Sequence, residues 1–189
     1  MEEENKFYYN FAEQELRKKG FIIKPLDEDY MNKRLDECMD FVNNILNEYK
    51  ESYNFWDLKT KEYFLNPLDR KFDYSFVIED KFNNIAFIQF ASVYGEKIHR
   101  HLTFTKKEYR NQGLIKLHQI KLCQWGIDNG FKEQEAFCDL NNNGSLIVFL
   151  KMGFKITGIR KEIQAAISGD LKNIRDTTFR LYQKENKLN

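Results

Sequence analysis

The stretch Thr103-Phe-Thr-Lys-Lys-Glu-Tyr-Arg110-Asn-Gln-Gly113-Leu-Ile-Lys116 joins a strand pattern, residues 97–105, to a long apolar helical pattern that begins near Gly113. A strand that enters a helix through a glycine-bearing turn leaves the first helical N–H groups unpaired, with the positive end of the helix dipole behind them. The stretch therefore predicts an anion pocket that suits a phosphate, with Arg110 and Lys116 adding positive charge. A lone glycine at such a junction also fits an ordinary turn without a ligand.

Two segments resemble signatures of the GNAT superfamily of N-acyltransferases. Arg110-Asn-Gln-Gly113-Leu-Ile115 is similar to the acyl-CoA-binding motif of that superfamily, Arg/Gln-x-x-Gly-x-Gly/Ala. Asn141-Asn142-Asn-Gly-Ser145-Leu-Ile-Val-Phe149-Leu-Lys151-Met-Gly153-Phe154 resembles its second signature, a helix that starts at Asn and closes on Gly-Phe. With the strands around them, the two signatures make residues 76–158 resemble the conserved half of the family.

The resemblance implies an α/β fold, a splayed mixed sheet of about seven strands with helices on both faces. It also implies acetyl-CoA as co-substrate and direct transfer of the acetyl group to a primary amine of a small molecule or peptide. The pantetheine arm is expected to contact Thr103, Phe104 and Thr105. The pyrophosphate is expected on the turn, and Asn142 is expected to reach the cofactor. The turn residues are Arg110, Asn111, Gln112, Gly113, Leu114, Ile115 and Lys116.

An amine attacks only when deprotonated, so a general base is useful at neutral pH. His99 is the candidate base, because members of the superfamily often place a catalytic carboxylate on this strand, and an unperturbed imidazole titrates near neutrality. His101 is the reserve candidate. A structural role is the alternative for either histidine.

Two positions depart from the family pattern. Ile115 stands where the pattern has Gly or Ala, whose small size lets the backbone approach the phosphates. Phe149 stands where many members have the tyrosine that protonates the leaving thiolate. Either Tyr182, expected on the last strand, or Cys138 serves instead, or the thiolate leaves unaided. The same departures support an alternative function, a catalytically silent acyl-CoA-binding or sensor module.

Strict alternation along residues 97–105 divides the side chains between two faces. One face is expected to carry His99, His101, Thr103 and Thr105, and the other Ile98, Arg100, Leu102 and Phe104.

The remaining patterns predict a helical extension over residues 1–19 outside a single domain, residues 20–189. In that domain, apolar positions from Met31 to Tyr49 recur at helical spacing. A short helix is expected within residues 53–66, where Tyr53, Phe55, Trp56 and Tyr63 are candidates for the wall of the acceptor pocket or for the core. Strands are expected at 21–26, 73–80, 84–95, 97–105 and 133–139, and helices at 112–129 and 142–153. A closing pair of strands is expected at 154–167 and 174–184.

Composition bounds the class of protein. The 189 residues suit one domain, and a net charge of +1 with interspersed Lys and Glu argues against a nucleic-acid surface. The three cysteines have no paired spacing that suggests a metal site or disulfide framework. No secretory signal or membrane-length apolar run is found, so a reduced, cytoplasmic monomer or homodimer is expected.

Overall fold

The computed structural model describes residues 2–49, 57–66 and 68–188, and of residues 2–5 only the backbone. Its helices are α1 (Glu2–Lys18), α2 (Glu28–Tyr49), α3 (Lys61–Leu65), α4 (Leu114–Asp128), α5 (Asn143–Lys151) and α6 (Leu171–Asn186), with a 3-10 turn at Lys107–Tyr109. Its strands are β1 (Phe21–Pro25), β2 (Phe76–Asp80), β3 (Ile85–Tyr94), β4 (Lys97–Thr105), β5 (Glu133–Asp139), β6 (Lys155–Arg160) and β7 (Gln164–Asp170).

The strands form one mixed seven-stranded sheet in the order β1-β2-β3-β4-β5-β7-β6. Neighbouring strands are antiparallel except β4 and β5, which are parallel. A parallel pair needs a crossover connection, and α4 supplies it. The α/β class and the seven-stranded mixed sheet predicted from the sequence are therefore confirmed.

Helices cover both faces of the sheet. The predicted stripe of α2 is buried against one face, where Cys38, Val42 and Ile45 pack with Ile88 of β3. On the other face, α4 packs with α1 and α6, and Leu114, Leu117 and Tyr182 form a cluster with Phe87 of β3. Neither helix layer contains a described helix that is long and apolar enough to cross a membrane.

The sheet separates between β4 and β5. The two strands pair only from Lys97↔Glu133 to Arg100↔Ala136. Beyond Arg100, β4 continues to Thr105 beside β3, while β5 continues to Asp139 beside β7. The divergence opens a gap whose closed end lies at Arg100 and Ala136.

A β-bulge in β4 changes which side chains share a face, so the strict alternation predicted from the sequence is wrong. Phe90 of β3 pairs with Leu102 and Ala91 with Arg100, so His101 has no partner in the register. An extra residue reverses the alternation beyond it. Leu102 and Phe104 consequently lie on the α2 face with His99 and His101, where they join the cluster around α2. Thr103 and Thr105 lie on the opposite face beside Gln89 and Phe87.

The predicted closing pair of strands is also wrong. Residues 155–170 form the hairpin of β6 and β7, which turns where Lys161 and Glu162 have positive φ angles. Residues 171–186 form α6. Asp170 caps this helix by accepting a hydrogen bond from the Asn173 N–H at 2.8 Å. The missed signal was helical spacing of the buried residues, which are Leu171, Ile174, Arg175, Thr178 and Tyr182.

The predicted N-terminal helix is present as α1, and it contributes to the core. Ala12 and Leu16 are fully buried, and Leu16 belongs to the cluster of α4 and α6. Lys121 of α4 forms an ion pair with Glu13. A domain boundary at residue 20 stays a prediction, although α1 packs tightly against the rest of the chain.

The pocket-wall candidates are only partly described. Tyr53, Phe55 and Trp56 lie outside the described residues. Tyr63 is half-buried on α3, where its ring contacts those of Phe64 and Phe90.

Candidate active site

A cavity of about 670 Å³ opens where β4 runs into α4. It is bordered by the end of β4, by the turn before α4 and by the start of α5. All of the predicted cofactor-contact residues line it except Gln112, which is half-buried on the turn. The predicted residues in the lining are Thr103, Phe104, Thr105, Arg110, Asn111, Gly113, Leu114, Ile115, Lys116 and Asn142.

The turn between Arg110 and α4 presents free main-chain donors to this cavity. Within the described part of the chain, the N–H groups of residues 111–115 have no hydrogen-bond acceptor. The Lys116 N–H donates to the Gly113 carbonyl at 3.0 Å. The turn depends on two left-handed residues, Asn111 with φ 62° and Gly113 with φ 79°, which are residue types that tolerate this conformation. Free amides at the N-terminus of a helix form an anion-binding site.

Two cations flank these amides. Arg110 donates from Nε to the Thr105 carbonyl at 3.2 Å, and its guanidinium lies 5.5 Å from the centre of the Tyr49 ring. Lys116 Nζ lies 2.5 Å from Oε2 of Glu185 on α6. Because Lys116 is paired with a carboxylate, Arg110 carries more of the positive charge available to an anion.

Asn142 caps α5 across the cavity. Its Oδ1 accepts a hydrogen bond from the Ser145 N–H at 3.1 Å. Because the oxygen is used by the cap, the Nδ2 group is the part of the side chain that remains to donate to a ligand.

Ile115 lines the cavity with a half-buried side chain that packs against two core clusters. Its backbone N–H belongs to the free donors of the turn. The branched side chain is thus accommodated by the core.

A smaller cavity of about 80 Å³ occupies the gap between β4 and β5. Its lining includes Arg100 and His101 from β4, Cys138 and Asp139 from β5, and Phe149 from α5. Thr103, Asn142 and Ser145 line both cavities. The turn and the gap therefore form neighbouring parts of one site.

His99 lies beside the closed end of the gap, on the α2 face. Its Nδ1 is 3.0 Å from Oε1 of Glu135, the residue opposite it on β5. Glu135 was not identified from the sequence. The pairing register of two parallel strands brings it to His99, and no local pattern encodes that register.

His101 is the bulged residue, and its ring lies 4.7 Å from that of His99. Its Nε2 is 2.5 Å from the Ser92 Oγ. The pKa of His101 is lowered to about 4, first by desolvation and then by repulsion from His99 and Lys71. It is therefore neutral at physiological pH, while part of its surface faces solvent.

The proton-donor candidates lie in different places. Cys138 is buried in the lining of the gap, where burial raises the pKa of its thiol to about 11. Tyr182 lies on α6 and not on a strand, is fully buried beneath Gly113, and donates to Glu15 at 3.2 Å. Desolvation and Glu15 raise the pKa of this phenol. Phe149, at the position of the family tyrosine, is buried on α5 and lines the gap.

Among the described residues, no cluster of three or more His, Cys, Asp or Glu side chains is arranged to hold a metal ion.

Three solved structures with a similar fold are acetyltransferases. The ribosomal-protein-S18-alanine N-acetyltransferase from Escherichia coli is 12% identical with a TM-score of 0.62, over 80% of this chain and 94% of that one. Ard1 from Thermoplasma volcanium is 12% identical with a TM-score of 0.63, and the match covers 80% of this chain and 97% of that one. PaiA N-acetyltransferase from Thermoplasma acidophilum, in complex with coenzyme A, is 14% identical with a TM-score of 0.65. The match covers 79% of this chain and 98% of that one. At these identities the likeness shows the fold.

No curated protein matches the chain. The family model of the acetyltransferase (GNAT) family matches residues 39–154, which include β4, the turn before α4, α4 and α5. With this match over more than half of its length, the chain belongs to the acetyltransferase (GNAT) family.

Proposed function

We propose that the chain transfers an acetyl group from acetyl-CoA to a primary amine of a small molecule or peptide by direct attack. The observation that carries this proposal is the run of free N–H groups at residues 111–115, which lies at a cavity adjacent to the gap between β4 and β5. A diphosphate matches the donors, and an extended acyl arm matches the gap. The coenzyme A in the PaiA complex is consistent with this cofactor class.

The pyrophosphate would accept hydrogen bonds from the turn amides, with Arg110 beside it and Asn142 Nδ2 opposite. The pantetheine arm would lie along residues 103–105. Among the described residues, no strand pairs with this edge of β4 beyond Arg100, so its main-chain groups are available to the amides of the arm. Acetyl-CoA would then carry its thioester to the closed end of the gap.

His99 would act as general base. When Nδ1 carries its proton and donates to Glu135, Nε2 is left as the basic nitrogen. The Glu135 carboxylate fixes this tautomer and stabilises the imidazolium formed when the amine loses its proton, as an acidic partner does in other histidine-based sites. His101 remains the reserve base, and its lowered pKa makes it the weaker one.

A silent acyl-CoA-binding module is the second candidate. It is favoured by Phe149, which has no proton to donate at the position where many family members have tyrosine. Calorimetry with acetyl-CoA, followed by a thiol-release assay over a panel of primary amines, separates the two candidates. We expect binding and turnover on at least one amine. Binding without turnover on any amine would support the module, and failure of acetyl-CoA to bind would contradict both.

A further inference from the structure

Arg100 is a buried cation that has no anionic partner in the described part of the chain. It is 3% exposed, and its Nη2 donates to Oε1 of Gln119 on α4 at 2.6 Å. Its Nε and Nη1 are buried and have no hydrogen-bond partner among the described residues. Burial lowers the pKa of this guanidinium to about 10, so it is still charged at neutral pH. A buried charge without compensation is costly, so its presence calls for a ligand that compensates it.

The surroundings of Arg100 do not supply that compensation. From α5, the Phe149 ring lies 5.2 Å from the guanidinium carbon. From α4, His118 and Cys123 act on Arg100 electrostatically, but burial lowers the pKa of the histidine and raises that of the thiol, so both are neutral. From β5, Cys138 and Asp139 line the same gap.

Asp139 is the carboxylate of this gap, and it does not neutralise Arg100. Its Oδ1 accepts from the Asn141 N–H at 2.8 Å, and its Oδ2 is buried without a partner. Neither a hydrogen bond nor an ion pair joins it to Arg100 in the described part of the chain. Thr103 Oγ1, in the same lining, is likewise unpartnered. The residues that line the gap thus carry several buried polar atoms without a hydrogen-bond partner among the described residues, and a polar ligand would satisfy them.

The position of Arg100 in the sheet indicates which part of a ligand it would meet. It is the last β4 residue that pairs with β5 and so lies at the closed end of the gap. Its side chain reaches α4 and α5, whereas His99, one residue earlier, lies on the α2 face. The two neighbouring residues therefore flank the closed end from opposite faces.

We propose that the Arg100 guanidinium stabilises the departing thiolate of coenzyme A, in place of a tyrosine acid at position 149. The proposal rests on the proposed acetyl transfer. The amine nitrogen bonds to the thioester carbon and loses a proton to His99. The carbon–sulfur bond then breaks, and sulfur leaves with the electron pair. With phenylalanine at position 149, the sulfur leaves as the thiolate, and the desolvated guanidinium offsets its negative charge.

The thiol pKa of bound coenzyme A tests this directly in the unmodified protein. It is measured from the ultraviolet absorbance of the thiolate in the coenzyme A complex, with the desulfo-coenzyme A complex subtracted to remove protein signals. We expect a pKa lower than that of free coenzyme A by about 1 unit or more, as for a group beside an opposite charge. An unshifted pKa in the complex would overturn the proposal even if turnover is normal.

Two variants test the residue assignment. Arg100→Gln should return the thiol pKa to its free value and lower kcat about 100-fold. Arg175→Gln is the matched control, because Arg175 is also 3% exposed and also donates to a glutamine, Gln124, at 2.6 Å. It should leave the thiol pKa unchanged. Adding Phe149→Tyr to Arg100→Gln should recover about 10-fold in kcat, because the phenol supplies the missing proton.

Two further outcomes separate a failure of the proposed acetyl transfer from a failure of the thiolate assignment alone. If coenzyme A does not bind the wild-type protein, the proposed function and this inference both fail. If Arg100→Gln instead changes the preference between acetyl-CoA and succinyl-CoA while the thiol pKa is unaffected, the guanidinium binds the acyl group and the thiolate assignment is wrong.

Discussion

Nδ1 of His99 on β4 lies 3.0 Å from Oε1 of Glu135 on β5, in the last paired section of the two strands before they separate. The contact connects the parallel pair of strands β4 and β5 to the proposed chemistry. An imidazole held by a carboxylate on one nitrogen presents the other nitrogen in a fixed direction. The contact with Glu135 thereby fixes the orientation of the proposed base.

Removing the imidazole should remove general-base catalysis. We expect His99→Ala to lower kcat about 100-fold and to abolish the acidic limb of the pH–rate profile, measured by thiol release. Glu135→Gln keeps a hydrogen-bond acceptor but loses the charge, so kcat should fall about 10-fold. Glu133→Gln is the control on the same strand, because Glu133 forms an ion pair with Lys97 at 2.7 Å, whereas Glu135 contacts His99. If His99→Ala retains the wild-type rate and pH profile, the base assignment is wrong.

Arg110 should contribute affinity only to the phosphate part of the cofactor. Arg110→Gln is expected to weaken coenzyme A binding about 10-fold, close to 1.4 kcal/mol, because a charge-assisted contact is lost. Pantetheine, which has no diphosphate, should bind the variant and the wild type equally. Lys107→Gln serves as the control, since Lys107 is a nearby cation outside the cavity lining. Calorimetry measures the affinity of both ligands. An equal loss of affinity for pantetheine would exclude a contact between Arg110 and the phosphates.

Gly113 is required for two separate reasons. Its φ of 79° is unfavourable for any residue with a Cβ, and a Cβ here would lie 2.8 Å from Cε2 of the buried Tyr182 ring. Gly113→Ala should cost about 3 kcal/mol of unfolding free energy in urea and weaken coenzyme A binding. Gly20→Ala isolates the backbone effect, because Gly20 has φ 80° and nothing within 4 Å of the added Cβ. Its cost should be about 1 kcal/mol. If the two substitutions lower the unfolding free energy equally, the close contact with Tyr182 does not contribute to the effect of Gly113→Ala.

Acidification should destabilise the fold through His118. This residue is fully buried, its Nε2 lies 3.1 Å from Gln89 Oε1, and desolvation lowers its pKa well below the usual 6.5. The unfolded chain therefore binds a proton that the folded protein excludes, and stability falls as pH drops below about 6.5. Between pH 7 and pH 5 the loss should be about 2 kcal/mol. His118→Gln should remove this contribution in urea unfolding and leave that of His101, whose pKa is also lowered, to about 4. A pH dependence identical to that of the wild type would assign the effect to other groups.

Most of the fold could be predicted from local pattern. The α2 stripe, the strand–turn–helix around Gly113 and the Asn-capped α5 are each encoded within one turn or one strand, so periodicity and capping residues were sufficient. The failures had specific physical causes. The sequence predicts a strand at residues 174–184, whereas the structure has α6 there, with buried positions that recur at helical spacing after the Asp170 cap. The bulge at His101 depends on β3 pairing, which the β4 sequence does not show.

The sequence by itself determined the strand–turn–helix around Gly113, because a glycine between a strand pattern and an apolar helical pattern marks the turn locally. It also determined the family resemblance. Only the tertiary structure decided which groups meet at the closed end of the gap. The parallel register brought Glu135 to His99, and the packing of α4 and α5 enclosed Arg100 between Gln119 and Phe149. Register and helix packing are set by contacts between residues distant in the chain, so no single segment encodes them.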